Sequence, residues 1–231
     1  VEVAAIADPD LRRIREWGAK LDESFGNKAA QYQDLRKIVD DRSIDAVIIA
    51  SCNHWHSLAA IWAMQSGKHA YVEKPVSHNI FEGRKMVEAA RKYNRICQGG
   101  TQRRSSGLFR KAVQLLRDGT IGELYMARAL VFGNRESIGF RPEEPIPEWL
   151  LWDLWLGPAQ ERPYHANLAH YNWHWFWDFG NGELGNNGSH ILDVIRWGLG
   201  KGFPSKVHSV GGRFGYKDQA ETPNTQLCTF T

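Results

Sequence analysis

Cysteine is scarce in this sequence, and long apolar runs and blocks of like charge are missing. The 231 residues contain three cysteines, Cys52, Cys97 and Cys228, standing singly and far apart. That fits neither a zinc-ligand spacing nor a disulfide framework, and it says little about compartment. No apolar run approaches the ~20 residues that span a bilayer, so no membrane role is expected. The 29 Lys and Arg are spread among the 26 Asp and Glu, for a net charge of +3. With no basic stripe to track phosphates, nucleic acid is not an expected partner. An initiator Met and a charged leader are also missing, so any targeting segment is expected to have been removed or to lie outside this chain. Tryptophan, by contrast, is abundant: ten in all, six of them between Trp149 and Trp177. Its broad apolar face and single N–H donor suit both core filling and stacking on sugar rings, and core filling is expected for most of them.

A chain of this length forms one large domain or two small ones, and its first hundred residues alternate strand and helix. An apolar run over residues 1–7 ends at Asp8-Pro9, and Leu11, Ile14, Trp17 and Leu21 then recur at helical spacing up to Gly26. The pattern continues with a short helix over 34–40, a strand over 46–50, a helix over 56–66 closed by Gly67, and a strand over 69–72. A helix over 80–93 and a strand over 95–99 follow. Continuous apolar strands separated by helices indicate a parallel sheet covered on both faces. Ligands of such sheets bind beyond the carboxyl ends of the strands, where Asp8, Ser51, Cys52, Asn53, Glu73, Lys74, Pro75 and Gln102 fall. Asp8 reads either as the acid that holds an adenosine ribose diol or as a helix N-cap. The glycine-rich phosphate turn expected roughly 20 residues before such an acid lies outside this chain.

The stretch 180–197, GNGELGNNGSHILDVIRW, organises the second half. Its glycines allow close backbone approach to a bound ring. His190 and Asp193, spaced i,i+3, face one side of a helix's first turns, where an imidazole moves a proton and a carboxylate holds a hydroxyl. A glycine loop before a helix, with His190 satisfied in a core, is the competing reading. The run 170–178, HYNWHWFWD, reads as a strand with Tyr171, Trp173, Trp175 and Trp177 on one face, or as a loop over the pocket. His165, His170, His174 and His190 match no recognised metal-ligand spacing, and no metal is expected.

The segments IADPD, IDAVIIASCNHWH, SGKHAYVEKPVSHN, DGTIGELYMARA and GNGELGNNGSHILDV, in this order, resemble the glucose-fructose oxidoreductase and inositol dehydrogenase family, written Gfo/Idh/MocA. The similarity is to its Trp-rich branch, truncated at both ends, many members of which carry a twin-arginine export signal. A periplasmic location follows if such a signal precedes this chain, and a cytoplasmic one otherwise. The resemblance implies an α/β fold. A partial Rossmann-like parallel sheet (1–100), its first strand and glycine-rich loop missing, is followed by an α+β part (101–231) with an open, mainly antiparallel sheet. In that second part a helix is expected over 105–118, a long strand over 123–132, a Pro- and Trp-rich excursion over 135–163, a strand over 204–210 and an apolar piece over 226–230. NAD is the implied cofactor, with NADP disfavoured because the Asp8 carboxylate repels a 2′-phosphate. The implied partners are a small-molecule sugar or polyol and further copies of the chain, as a dimer or tetramer through the C-terminal sheet.

Carried over residue by residue, the family's catalytic lysine is Lys74 and its acid or base is His190. The expected cofactor contacts are Asp8, Ser51, Asn53, His56, Glu73, Lys74 and Gln102. The expected substrate contacts are Asn186, Asp193, His174, Trp175 and Gln102. Lys74 would stabilise the developing alkoxide while His190 takes the hydroxyl proton, and Pro75 can follow a cis bond. Many relatives carry an aspartate where this chain has Asn186. An amide supplies neither a charge nor a proton site, so a relay is not expected there, and Asn186 would align the substrate or His190. For Asp193, hydroxyl binding competes with a salt bridge to Arg196. The expected activity is NAD(H)-dependent oxidation of a secondary hydroxyl on a sugar, polyol or glycoside. Two alternatives stay open: glycoside cleavage through transient C3 oxidation, and a non-catalytic ligand-binding or structural fragment.

Overall fold

The computed structural model describes residues 2–26, 28–133 and 135–231. Strand β1 (Ala5–Ala7) leads into helix α1 (Leu11–Phe25), whose N-cap is Asp10, with its carboxylate accepting from Arg12 N at 2.8 Å. Gly26 ends α1 in the left-handed region (φ 71°), a conformation that favours glycine. The alternation continues through β2 (Ala30–Tyr32), α2 (Arg36–Asp40), β3 (Ala46–Ile49), α3 (Asn53–Gln65), β4 (His69–Val72), α4 (Ile80–Lys92) and β5 (Cys97–Gly99). Asn79 caps α4, its Oδ1 accepting from Glu82 N at 2.9 Å while its Nδ2 donates to Glu82 Oε1 at 2.7 Å. Strand β2 is an addition to the expected elements, its three residues being too short for a hydrophobic period to show.

All pairings among these strands are parallel, in two sheets of order β1-β2 and β3-β4-β5. Two strands and three match the two flanks of a doubly wound sheet of order 3-2-1-4-5-6, in which one further strand separates the groups. Ile48 on β3 is 76% exposed. Trp55, Ala60, Met64, Ala70, Val72 and Met86 are among the side chains packed between α3, α4 and the second sheet.

Beyond residue 100 the chain forms a 3-10 turn (Gln102–Ser105), α5 (Gly107–Arg117), α6 (Trp152–Leu156), a second 3-10 turn (Asn172–Trp175), a π turn (Leu184–Gly188) and α7 (Ser189–Leu199). Strands β6 (Val207–Gly212) and β7 (Thr225–Phe230) pair antiparallel. The strand expected over 123–132 does not form. No described strand pairs with this segment, and Tyr125 and Phe132 are 91% and 89% exposed, so its apolar residues have no face to bury. The alternating-strand reading of 170–178 gives way to the 3-10 turn and loop. Of the six tryptophans between 149 and 177, Trp152, Trp155 and Trp175 are buried, and Trp152 and Trp155 stack at 4.7 Å among Leu150, Leu156, Leu168, Phe176 and Phe179.

Residues 149–156 touch both parallel sheets' helices. Leu11 N donates to Trp149 O (2.9 Å) and Leu151 N to Pro9 O (3.1 Å) on one side. On the other, Trp55 Nε1 donates to Leu154 O (3.1 Å), and His54 Nε2 to Trp155 O (3.2 Å). Among the described residues no helix is long and apolar enough to cross a membrane.

Candidate active site

The turn after β4 and the π turn before α7 meet at one contact. Lys74 Nζ donates to both oxygens of Asn186, 3.0 Å to Oδ1 and 3.2 Å to the backbone carbonyl. The Lys74–Pro75 peptide is cis. Partial burial pulls the ammonium's pKa below its ordinary value, against the attraction of Glu73 and Glu183. A π turn is a common irregularity at functional sites. This one puts Asn186 at the lysine and hands the chain directly to α7, which begins at Ser189 and carries His190 in its first turn.

His190 stands beside this contact. Its Nδ1 is buried with no hydrogen-bond partner among the described residues. Burial, with the charges of Lys74 and Arg103, lowers its pKa, which Glu73 and Asp193 partly offset. The ring is therefore neutral and basic at neutral pH. His174 stacks on Trp173 at 3.6 Å, and its Nδ1 donates to Tyr171 O at 2.5 Å, which leaves Nε2 as an acceptor. Burial again depresses the ring's pKa, aided by Lys74 and Arg135. Two neutral imidazoles thus flank one ammonium.

Asp193 is already engaged, and by Arg104 rather than Arg196. The Arg104 guanidinium grips both its oxygens at 2.8–3.1 Å, so hydroxyl binding there would compete with a bidentate ion pair. Trp175 is only 8% exposed and has the Arg135 guanidinium over its ring at 5.1 Å, so its face is not open to a sugar. Gln102 opens the first 3-10 turn with its side chain exposed. Gly180 meets protein rather than a ligand: a Cβ there would lie 2.7 Å from the His174 backbone, so only glycine fits.

The strand-end residues divide in two. Asp8 is half-buried and accepts from Asp10 N at 2.8 Å. The helix cap is Asp10, so the alternative reading of Asp8 falls to its neighbour. Burial raises the Asp8 pKa. Ser51 is exposed after β3, and Glu73 accepts from Lys74 N at 3.3 Å after β4. The other two, Asn53 and His56, are turned inward and bonded within the protein. Asn53 donates to Asn181 Oδ1 at 3.0 Å, and His56 lies between Pro75 O (2.7 Å) and Ser51 O (3.0 Å). Two carbonyls favour a second proton on His56, yet burial outweighs them and lowers its pKa; the neutral ring then donates to the closer oxygen. Both residues brace the loops that follow β3 and β4.

Arg135 and Glu183 belong to the same cluster and were not among the residues expected from sequence. Their guanidinium and carboxylate lie 3.0 Å apart beside Lys74 and His174. A charged residue inside the glycine stretch was the available signal for Glu183; Arg135 gives none, since its partners lie 36 and 48 positions away. A cavity of about 680 Å³ lies elsewhere, against Glu143, Glu144, Trp152 and Tyr164, and contains none of these groups.

The fold defines a class, an α/β protein with a parallel sheet of the doubly wound, nucleotide-binding type. More narrowly, the chain belongs to the Gfo/Idh/MocA family. Residues 1–101 match its model described as an oxidoreductase family, NAD-binding Rossmann fold, and residues 135–212 match the model of its C-terminal alpha/beta domain. The chain is similar to the myo-inositol 2-dehydrogenase of Thermotoga maritima, 32% identical over 54% of this chain and 36% of that protein. It is also similar to the levoglucosan dehydrogenase of Pseudarthrobacter phenanthrenivorans, 26% identical over 87% of this chain and 43% of that protein. The chain thus spans about two fifths of these relatives' length. In fold it is similar to the WlbA dehydrogenase of Bordetella pertussis, whose structure is a complex with NADH and UDP-GlcNAcA. The TM-score is 0.70 at 18% identity, over 99% of this chain and 55% of that one.

Proposed function

We propose that this chain carries the substrate-handling half of an NAD(H)-dependent oxidoreductase that acts on a secondary hydroxyl of a sugar or polyol. The contact of Lys74 with Asn186, beside a neutral, half-buried His190, is the observation that carries the reading. Oxidising an alcohol needs a base for its proton and a cation beside the oxygen as charge develops. His190 fits the first role, since its depressed pKa leaves it unprotonated at neutral pH. Lys74 fits the second. Its two Asn186 contacts hold the ammonium in place without neutralising it, because an amide carries no charge. His174 Nε2 is free to accept a substrate hydroxyl.

The residues present also fit NAD. Asp8 ends β1 relieved of helix capping, so its carboxylate can accept both hydroxyls of an adenosine ribose and would repel a 2′-phosphate. Ser51, Glu73 and Lys74 line the carboxyl ends of β3 and β4, where a dinucleotide lies in such sheets. When bound, NAD supplies the hydride acceptor. The relatives named as inositol and levoglucosan dehydrogenases support a cyclic polyol or anhydrosugar as substrate class. Association of copies through the β6–β7 sheet is part of the same proposal.

The test is a titration of NADH against the 231-residue chain and against a version extended at both ends to its relatives' length, followed by reduction of NAD with myo-inositol or levoglucosan. Binding and turnover by the extended version support the reading. No turnover with any polyol, despite tight NADH binding, would leave a binding function in its place.

A further inference from the structure

Two irregular pieces of backbone border the Lys74–Asn186 contact, and a single side chain touches both. The first is the π turn Leu184–Gly188. The second is Tyr171, which sits at φ 87°, ψ −52°. A bulky residue at positive φ is strained, and such strain persists only where the surroundings impose it, most often at functional sites.

Arg135 connects the two. Its Nε donates to Glu183 Oε2 at 3.1 Å, and Glu183, immediately before the π turn, also accepts from Asn187 Nδ2 within it. Its Nη1 donates to Tyr171 OH at 3.0 Å, and its planar face covers the Trp175 ring. The Arg135 backbone is itself held, because Tyr216 OH donates to its carbonyl at 2.7 Å. On the far side of the strained residue, His174 Nδ1 donates back to Tyr171 O. The chain of contacts therefore runs from Asn186 through Asn187, Glu183, Arg135 and Tyr171 to His174.

We propose that Arg135 is the positioning residue of this site, holding the π turn and the strained Tyr171 in the one arrangement that presents Asn186 and His174 to Lys74. This rests on the reading of the site given above. A guanidinium suits the task because its rigid fork reaches two acceptors at once, which an ammonium on a flexible stem does not. Were the π turn to relax to an ordinary α turn, losing one residue of its loop, the backbone before it would rotate by about 100° and carry Asn186 off Lys74. Were Tyr171 to relax to negative φ, His174 would leave with it.

The test needs no cofactor in its first arm. Side-chain NMR of the 231-residue chain follows the titration of His174 in the wild type, Arg135→Gln, Arg135→Lys and Glu183→Gln. The charged groups facing His174 are Lys74, Arg135 and Glu183. Loss of the Arg135 cation should raise the His174 midpoint, and loss of the Glu183 anion should lower it. General loosening of the fold would instead move both variants toward the ordinary imidazole value, upward. A Glu183→Gln midpoint that stays put or rises overturns the arrangement.

The second arm is NAD-coupled turnover of myo-inositol. Arg135→Gln and Arg135→Lys should each lower kcat by roughly tenfold or more, with a smaller effect on KM, as misplacement of reacting groups does. Full rescue by Arg135→Lys would overturn positioning in favour of charge alone. Opposite shifts of the His174 midpoint in Arg135→Gln and Glu183→Gln, beside a wild type that turns nothing over, would uphold the arrangement and remove the proposed reaction. Unmoved midpoints in an active enzyme would do the reverse.

Discussion

Replacing His54 by glutamine should remove a distinct part of this protein's sensitivity to acid. His54 is 3% exposed, its Nε2 donates to Trp155 O at 3.2 Å, and its ring meets Phe179 edge-on at 5.1 Å. Its Nδ1 is buried without a partner among the described residues, so a second proton would sit on an N–H with no acceptor. Burial accordingly pushes its pKa from 6.5 down to about 4. In the unfolded chain the imidazole takes its proton near 6.5. The stabilisation from keeping His54 neutral is thus complete above that value and is lost as pH falls from there to about 4. At about 1.36 kcal/mol per pH unit the loss comes to about 3 kcal/mol. With a urea m-value of about 2 kcal/mol/M, that moves the unfolding midpoint by roughly 1.5 M. The assay is urea unfolding at pH 7.5 and pH 4 for wild type and His54→Gln. The other depressed histidines, His56, His165, His174 and His190, contribute to both proteins alike. The variant's midpoint should fall by roughly 1.5 M less than the wild type's. Equal falls in both proteins would refute the reasoning.

Three further outcomes concern the site. Lys74→Ala should lower kcat by about 10²–10³-fold, with NADH affinity little changed, because it removes charge stabilisation at the reacting oxygen; steady-state kinetics and a cofactor titration check both halves. The wild-type kcat/KM should fall on the acid side only below the ordinary imidazole range, since the His190 pKa is depressed and its basic form survives to lower pH. His190→Asn should abolish that acid limb along with most of the rate, and a pH–rate profile shows either result. Asp8→Ser should raise NADP affinity by about tenfold relative to NAD by removing a carboxylate from the 2′ position, measured by competition between the two cofactors.

Much of this was legible in the residues themselves. The parallel strands and their helices show as apolar runs and 3.6-residue periods, which are local signals. Lys74 and His190 could be named because each sits in a contiguous motif. What failed was non-local. The segment 123–132 has strand composition but no partner to pair with, and pairing is what makes a strand. Asp193 carries no mark in the sequence that Arg104, 89 positions away, will occupy it. Arg135 is an arginine in a loop until the fold brings Glu183 and Tyr171 to it. The family resemblance implies His56 as a cofactor contact, and only coordinates show both its nitrogens facing backbone carbonyls.

The span 149–156 has a consequence for how the molecule is made. It is the splint between α1 and α3, whose strands lie in separate sheets, and it emerges from the ribosome about a hundred residues after α3. The early segments can form helices and pair strands within each group as they appear, and Leu35 and the Lys68–Asp41 contact already link the groups, but the brace from α1 to α3 has to wait for Trp149 and Trp155. Closing loops that long delays the rewarding contacts, so assembly should run late and nearly all at once rather than from the amino end forward. A nascent chain arrested before residue 149 would therefore lack the brace between α1 and α3.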